Sequence, residues 1–145
     1  MITRGITKDD FQQIVSVTDQ WWGGPTSALA HPIFFYELGD HALVVEDAGR
    51  MVGFLLGFIT ERPPKVGYIH LVGIDPGYRR RGVGRALYEE FARKAVAAGA
   101  LRLKAITTPG NQASVEFHRA LGYTIEQVPD YAGPHRARYV FTRDV

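Results

Sequence analysis

The densest group of chemically capable residues is a run of arginines that passes into a pair of glycines. Within residues 79–85, the segment contains four arginines, Arg79, Arg80, Arg81 and Arg85, interleaved with Gly82, Val83 and Gly84. A strand-like stretch ending at Ile74 precedes it, and a helix-like stretch follows. Helix starts attract anions, glycine lets an anion approach the backbone, and guanidinium groups donate charge-assisted hydrogen bonds to phosphate oxygens. The pattern therefore predicts a pyrophosphate-binding turn at a helix N-terminus.

Other phosphate motifs fit this segment less well. It lacks the Lys-Ser/Thr ending of a P-loop and the triple-glycine spacing of a dinucleotide-binding turn. A solvated basic turn before an ordinary surface helix is one alternative. A nucleic-acid patch is another, but the formal net charge is only +2 and nucleic-acid-binding domains usually carry more positive charge elsewhere. We therefore expect no nucleic-acid partner.

Composition is that of an ordinary globular protein. Of the 145 residues, 46% are hydrophobic and 22% are charged, and we assign residues 1–145 to one domain. The longest apolar stretch, 51–59, is far shorter than the roughly 20 residues that a membrane helix needs. The N-terminus has no basic stretch followed by an apolar one, so we expect a cytoplasmic protein with no membrane partner. Cysteine is absent, which excludes disulfides, thiolate metal sites and an acyl-cysteine intermediate.

Hydrophobic periodicity and turn residues predict an alternating order of elements, β-α-α-β-β-β-α-β-α-β-β. The strands are expected at 2–6, 41–46, 50–61, 66–74, 101–106, 123–128 and 138–142. The helices are expected from about Thr7 to the Trp21-Trp22-Gly-Gly-Pro25 breaker cluster and at 32–38, 82–98 and 111–121. The third helix has Val83, Leu87, Phe91 and Ala95 on one face. Such alternation is typical of a mixed sheet with helices packed on its faces.

Two motifs resemble those of the GCN5-related N-acetyltransferase (GNAT) superfamily. Arg79-x-x-Gly82-x-Gly84 matches the acetyl-CoA signature of that family, and the preceding Leu71-Val-Gly-Ile-Asp-Pro resembles its fourth strand. Downstream, Asn111-Gln-Ala-Ser-Val-Glu-Phe-His-Arg-Ala-Leu-Gly-Tyr123 resembles its second motif. The resemblance covers about residues 68–123. It implies an α/β fold with a mixed, mostly antiparallel sheet of six to seven strands, four flanking helices, and splayed fourth and fifth strands.

The resemblance also implies where the acyl donor, acetyl-CoA, would bind. Its pantetheine arm would fill the gap between the splayed strands and pair with the main chain of Val72 and Ile74. Gly73, between them, is expected at a local bulge. Backbone N–H groups of 80–85 would hold the pyrophosphate. The cofactor-binding residues implied are Val72, Gly73, Ile74, Arg79, Arg80, Arg81, Gly82, Val83, Gly84, Arg85, Asn111, Ser114 and Phe117, with no metal.

The chemistry implied is direct attack of a neutral amine on the thioester, with main-chain N–H near Val72 stabilising the oxyanion. His118 stands where many relatives have the tyrosine that protonates the leaving thiolate, and His70 lies nearest to their catalytic glutamate. A histidine can do either job. Alternatively, His118 only packs beside the cofactor while water protonates the thiolate, and His70 is structural. Glu37 and Glu46 are weaker candidates for the base.

The acceptor site is expected near the tryptophans that end the first helix. Trp21, Trp22 and Tyr131 are predicted to bind the acceptor, because aromatic walls suit apolar or cationic amines. Several of the aromatic residues could instead complete the core, and we favour that for Phe34 and Phe35. The predicted function is transfer of the acetyl group of acetyl-CoA to a primary amine of a small molecule or protein. A non-catalytic CoA-binding module is the alternative, and the family's habit makes a homodimer the assembly to test.

Overall fold

The computed structural model describes residues 1–22 and 27–145. In this part of the chain, seven strands form one sheet in the order β1-β2-β3-β4-β5-β7-β6. The strands are β1 (Ile2–Gly5), β2 (Leu43–Asp47), β3 (Arg50–Ile59), β4 (Val66–Ile74), β5 (Arg102–Thr107), β6 (Thr124–Val128) and β7 (Arg138–Asp144). The α-helices are α1 (Asp10–Trp22), α2 (Ile33–Tyr36), α3 (Val83–Ala97) and α4 (Gln112–Ala120), with 3₁₀ turns at Ser27–Leu29 and Pro76–Tyr78. The predicted fold class and order of elements are confirmed.

Strand directions give the sheet a single parallel contact among the described strands. β4 and β5 are parallel, and the remaining neighbours pair antiparallel. The β4–β5 ladder runs from Val66 opposite Arg102 to Ile69 opposite Ala105 and ends there. Beyond that point β4 stays paired with β3 as far as Ile74. β5 likewise stays paired with β7 as far as Thr107. The predicted splay between the fourth and fifth strands is therefore confirmed.

A β-bulge in β4 lies at the start of this divergence. On β3, Leu56 is opposite Leu71 and the next residue, Gly57, is opposite Ile69, so His70 is the extra residue. Ile69 packs in the core beside α3, whereas Leu71 packs in the core beside α1. Side chains two residues apart normally lie on the same face of a strand. Because of the extra residue, Ile69 and Leu71 lie on opposite faces, and the order in which side chains alternate between the faces is reversed after the bulge.

The expectation of a bulge at Gly73 is wrong. Gly73 lies in regular register opposite Phe54. Its lack of a side chain serves packing, because a Cβ at this position would be 2.4 Å from the Phe54 ring.

Two hydrophobic cores cover the two faces of the sheet. The predicted stripe of α3 is confirmed, since Val83, Leu87, Phe91 and Ala95 are all buried against one face. Glycines on β3 and β4 let the helix approach closely. A Cβ at Gly57 would lie 2.8 Å from the Phe91 ring. On the other face α1 buries Ile14 and Trp21.

An ion pair fixes the start of α1. Arg4 on β1 donates to both carboxylate oxygens of Asp10 at 2.9 Å and to Glu46 at 2.8 Å. The Thr7 backbone N–H also donates to Asp10, at 2.7 Å. Burial opposes ionisation of Asp10, but the Arg4 and Thr7 hydrogen bonds outweigh it and lower the pKa of the carboxyl group. This attachment sets the direction of α1, whose other end reaches the candidate site.

Replacing Gly73 by alanine should destabilise the protein by about 1–3 kcal/mol, the usual cost of overpacking a core. The new methyl group would force Phe54 or β4 to move. Gly5→Ala is the matched control, because no atom lies within 4 Å of a Cβ there. Urea unfolding should give a lower midpoint for Gly73→Ala than for the parent, with Gly5→Ala near the parent value. Equal stability of the two variants would contradict the packing role of Gly73.

Candidate functional site

A cavity of about 590 Å³ opens between β4 and β5, where their pairing has stopped. The two diverging strands form its walls, and Tyr88 of α3 and several residues of α4 also line it. Its lining residues are Trp22, Ile69, His70, Leu71, Val72, Ile74, Arg79, Tyr88, Ala105, Ile106, Thr107, Asn111, Ala113, Ser114, Phe117 and His118. The volume lies within the range of small-molecule and cofactor sites.

Many of the predicted site residues meet in this cavity. The predicted residues that line it are His70, Val72, Ile74, Arg79, Asn111, Ser114, Phe117, His118 and Trp22. The predicted residues outside the lining are Gly73, Arg80, Arg81, Gly82, Val83, Gly84, Arg85, Trp21 and Tyr131. Most of the second group belongs to the arginine-glycine turn, which adjoins the cavity through Arg79.

The two glycines of the turn serve different structural purposes. Gly82 is the N-cap of α3, has a left-handed φ of 81°, and would have nothing within 4 Å of an added Cβ. Glycine favours that conformation, and here it leaves the start of the helix open. At Gly84 a Cβ would lie 3.0 Å from Ile74 and 3.1 Å from Phe117. Gly84 therefore allows α3 to pack against the cavity wall.

This turn is suited to an anion. The first turn of α3 contains no acidic residue. The first N–H groups of the helix have no partners within it and carry a partial positive charge. Open space over Gly82 leaves room for a phosphate group. These features fit the pyrophosphate of an acyl-CoA, although the individual contacts remain predictions.

Arg79 and Arg81 tie the turn to neighbouring elements of the protein. Arg79 Nη2 donates to the carbonyl oxygen of Trp21 at 2.7 Å, which ties the turn to the last residues of α1. The Arg81 guanidinium lies 4.4 Å from the centroid of the Tyr78 ring. That ring is itself fixed, because its hydroxyl donates to Asp47 at 2.7 Å. Arg81 is thus held on the β2 side of the turn.

Asn111 holds the start of α4. Its Oδ1 accepts from the Ser114 backbone N–H at 3.2 Å, and its Nδ2 donates to Thr107 Oγ1 at 3.1 Å. The first contact is an N-cap and the second ties the helix to the end of β5. Asn111 therefore fixes one rim of the cavity, and a direct hydrogen bond to the cofactor stays a prediction.

His118 has both ring nitrogens in hydrogen bonds. Nδ1 lies 2.8 Å from the carbonyl oxygen of Ser114, and Nε2 lies 2.8 Å from the hydroxyl of Tyr88. The residue is 5% exposed, and its ring stacks on Phe141 with centroids 3.9 Å apart. Burial lowers the pKa of His118, and the hydrogen bond to Ser114 offsets this only in part. The imidazole is therefore neutral near pH 7.

Tyr88 is a site residue that the sequence reasoning missed. It lines the cavity from α3 and contacts His118. Its position four residues after Gly84 places both on the same helix face, so helical spacing from the glycine motif was the available signal.

His70 is presented to the cavity by the bulge. Its Nε2 lies 2.9 Å from the carbonyl oxygen of Leu29, and its ring stacks on Phe34 with centroids 4.8 Å apart. A carbonyl oxygen only accepts, so Nε2 carries the proton and Nδ1 keeps a lone pair in the neutral ring. Burial lowers the pKa of His70, partly opposed by the Leu29 bond, while the nearby His31 lowers it further.

The structure separates the predicted acceptor-site aromatics. Trp22 is 45% exposed and lines the cavity. Trp21 is buried and stacks on Phe54 with ring centroids 6.1 Å apart. Tyr131 is part of the surface and has Lys104 Nζ 5.2 Å from its ring centroid. Residues 23–26 of the predicted breaker cluster lie outside the described residues. Trp22 alone among the three predicted acceptor residues therefore lines this cavity.

The described residues include no helix long and apolar enough to span a membrane. They also include no cluster of three or more histidine, cysteine or acidic side chains arranged to hold a metal ion. Of the weaker candidates for the base, Glu46 accepts a hydrogen bond from Arg4, and neither Glu37 nor Glu46 is in the cavity lining.

Comparisons with known proteins agree with this geometry. The acetyltransferase (GNAT) family matches residues 9–123. L-2,4-diaminobutyric acid acetyltransferase from Nocardia farcinica is 27% identical over 95 residues, which are 66% of this chain and 49% of that protein. The chain thus spans about half the length of this relative.

Two solved structures share the fold. Ard1 from Thermoplasma volcanium superposes with a TM-score of 0.81 at 24% identity, covering 99% of this chain and 97% of that one. An aminoglycoside 6'-N-acetyltransferase complexed with coenzyme A gives a TM-score of 0.79 at 15% identity, with the same coverage of 99% and 97%. With the family match extending from α1 through α4, this chain belongs to the GNAT acetyltransferase family.

Proposed function

We propose that this chain is an N-acetyltransferase that transfers the acetyl group of acetyl-CoA directly to a primary amine of a small molecule or protein. The observation that carries the proposal is the cavity between β4 and β5, which opens where their parallel pairing ends at Ile69 and Ala105. Membership of the GNAT family supports it, as does the fold shared with an acetyltransferase solved with coenzyme A.

The edge of β4 that faces β5 suits an extended, amide-containing ligand. After Ile69 this edge has no strand partner, while the opposite edge remains paired with β3. Unpaired strand edges bind extended chains through main-chain hydrogen bonds. The pantetheine arm of CoA has two amides, and we expect Val72 and Ile74 to pair with them.

The start of α3 is the proposed site for the pyrophosphate. Gly82 is open, its neighbours are basic, and the first turn of the helix has no acidic residue. A bound CoA would then extend from this turn into the cavity, with Arg79 at the junction between them. In this arrangement Ser114 and Phe117 of α4 would contact the cofactor from the other side.

His70 is the proposed base for the acceptor amine. It reaches the cavity beside Trp22, which we assign to the acceptor side, and its Nδ1 lone pair has no recorded partner among the described residues. The neutral imidazole would accept the proton that the attacking amine releases.

We further expect the reaction to take place in the cytoplasm and the protein to be a homodimer.

A non-catalytic CoA-binding module is the second candidate, and one observation favours it. His118 occupies the place of the tyrosine in many relatives, yet both of its ring nitrogens bind protein groups. If neither another residue nor water protonated the thiolate, the domain would bind acetyl-CoA without turning it over efficiently.

Acetyl-CoA-dependent thiol release across a panel of amines and peptides separates the two candidates. The chain has no cysteine, so a thiol reagent would detect only CoA in a pure sample. Release that requires one class of amine is the expected result, and it would also identify the acceptor. Tight binding of acetyl-CoA without release for any amine would favour the binding module. Absence of binding would overturn the proposal.

Gly82→Glu should abolish CoA binding, because it places a carboxylate where the pyrophosphate is expected. Gly49→Glu is a matched control in the β2–β3 turn. Both glycines have positive φ, 81° and 76°, and nothing within 4 Å of an added Cβ. Calorimetry should show loss of CoA affinity for Gly82→Glu alone. Retained affinity in folded Gly82→Glu would contradict the placement of the pyrophosphate. Gly84 is less suitable for this test, because its substitution also disturbs packing against Ile74 and Phe117.

His70→Gln should lower kcat/KM by about 100-fold or more if His70 is the base. Glutamine retains an N–H donor for the Leu29 carbonyl but lacks a basic nitrogen. The lowered pKa of His70 keeps the imidazole unprotonated down to lower pH. The fall of kcat/KM on the acidic side of the pH profile should therefore lie below the usual histidine pKa near 6.5. The pH profile of kcat/KM measures this fall. An unchanged profile in His70→Gln would exclude His70 as the base.

A further inference from the structure

We propose that Tyr88, on α3, is the catalytic residue that gives its hydroxyl proton to the leaving thiolate, and that His118 is the residue that positions it. This inference rests on the proposed acetyltransferase function. It assigns to a different helix the hydroxyl group that α4 lacks at position 118. The resemblance places no role on residue 88.

The hydrogen bonds determine which of the two residues can donate. The Ser114 carbonyl oxygen only accepts, so the His118 Nδ1 at 2.8 Å must carry the proton. In the neutral ring Nε2 then has the lone pair, and Tyr88 is the donor in the 2.8 Å contact between them. The one N–H of His118 is used within α4. The proton between the two side chains therefore belongs to the Tyr88 hydroxyl, and Tyr88 lines the cavity.

The surroundings hold this pair in one arrangement. Tyr88 meets the rings of Phe117, His118 and Tyr123 edge to face, with centroids 5.1, 5.3 and 6.0 Å away. The ring of His118 is held in place by stacking on the ring of Phe141. The Arg143 guanidinium lies 5.5 Å from the centroid of the Tyr123 ring. Such packing restricts the Tyr88 ring and leaves rotation of the hydroxyl as its main freedom.

Burial keeps the hydroxyl in its donating form. Desolvation raises the pKa of Tyr88 well above its ordinary value, and Tyr123 adds to the effect. Tyr88 is therefore protonated throughout the neutral range. The same low-dielectric surroundings would also raise the proton affinity of a thiolate formed in the cavity, because burial disfavours the charged form of any acid.

Proton transfer from Tyr88 accompanies cleavage of the thioester. When the C–S bond breaks, its electron pair stays on sulfur. The Tyr88 hydroxyl then rotates so that its hydrogen bond passes from the neutral Nε2 of His118 to the anionic sulfur. This change is favourable because a charge-assisted hydrogen bond is about twice as strong as a neutral one. The Tyr88 proton then passes to sulfur. The phenolate recovers a proton from solvent, and His70 returns to solvent the proton that it has taken from the acceptor amine.

Tyr123 provides a matched control in the same cluster. Its ring centroid lies 5.2 Å from that of His118, and the side chain is buried like that of Tyr88. Its hydroxyl, however, is buried without a hydrogen-bond partner among the described residues and is absent from the cavity lining. Removing that hydroxyl should leave activity unchanged and should not reduce stability.

The test compares Tyr88→Phe, Tyr123→Phe and His118→Phe in the full chain. We expect Tyr88→Phe to lower kcat by about 100-fold, the usual contribution of a general acid, with KM for acetyl-CoA within about threefold. Tyr123→Phe should stay within about twofold of the parent. His118→Phe should lose less than Tyr88→Phe, and the double variant should lose no more than Tyr88→Phe alone. If Tyr88→Phe is active and His118→Phe is not, His118 is the acid and the proposal is wrong.

A second readout does not depend on turnover. The pKa of the thiol of bound CoA can be followed by NMR of CoA labelled with carbon-13 beside sulfur. Donation from Tyr88 stabilises the thiolate, so Tyr88→Phe should raise this pKa by about one unit, whereas Tyr123→Phe should not. An unchanged thiol pKa in Tyr88→Phe would overturn the proposal, whatever the effect on kcat.

The two readouts also separate this inference from the proposed function. If the parent protein binds CoA but acetylates no amine, the proposed function fails, while the thiol titration still decides whether Tyr88 donates to sulfur. If CoA does not bind at all, both fail. A fold control by circular dichroism accompanies each variant.

Discussion

β4 has different partners along its two edges, and the site depends on that difference. One edge follows β3 as far as Ile74, while the other leaves β5 after Ile69. A parallel strand inside a sheet would ordinarily bond its neighbours on both sides. Here the extra residue at His70 coincides with the loss of the second neighbour, and bulges bend and twist the strand that carries them. The gap is thus a product of backbone geometry, and the side chains of the cavity are arranged around it.

Two helices that line the cavity, α3 and α4, pack in the same core on one face of the sheet. α3 lies close against β3 because glycines such as Gly57 leave room for Phe91, and the helix start therefore comes to the carboxyl end of β4. α4 is fixed to β5 by the bond from Asn111 to Thr107. α4 is thus attached to one wall strand, β5, and α3 packs against β3, which pairs with the other wall strand, β4. These contacts hold the helices beside the gap.

Local sequence pattern was sufficient for much of this architecture. The strand 66–74 was predicted with the bounds that the structure has, and the buried stripe of α3 followed from helical spacing. The arginine-glycine turn was recognisable because the properties of its residues do not depend on distant contacts. Glycine lets an anion approach the backbone, and arginine donates hydrogen bonds to phosphate oxygens. The bulge could not be placed this way, since it is a mismatch in length between β3 and β4, and Gly73 offered a misleading local signal.

The partners of His118 were equally inaccessible to the sequence, because Tyr88 is thirty residues away and on another helix. The same limit applied to Trp21 and Trp22. They are adjacent and chemically identical, yet rotation along α1 buries one beside Phe54 and exposes the other to the cavity. A sequence pattern can place both near a site, but only the packed helix distinguishes them.

The bond from Arg79 to the Trp21 carbonyl has a thermodynamic consequence. One guanidinium serves both the turn suited to phosphate and the end of α1 that carries Trp22. A ligand that draws the guanidinium toward itself weakens its hold on α1. A ligand that presses on the end of α1 in turn alters how readily Arg79 can move. Free-energy coupling between two sites is reciprocal, so the occupant of each would change the affinity of the other by the same factor. Through this side chain the affinities of the two sites are linked, whichever ligand binds first.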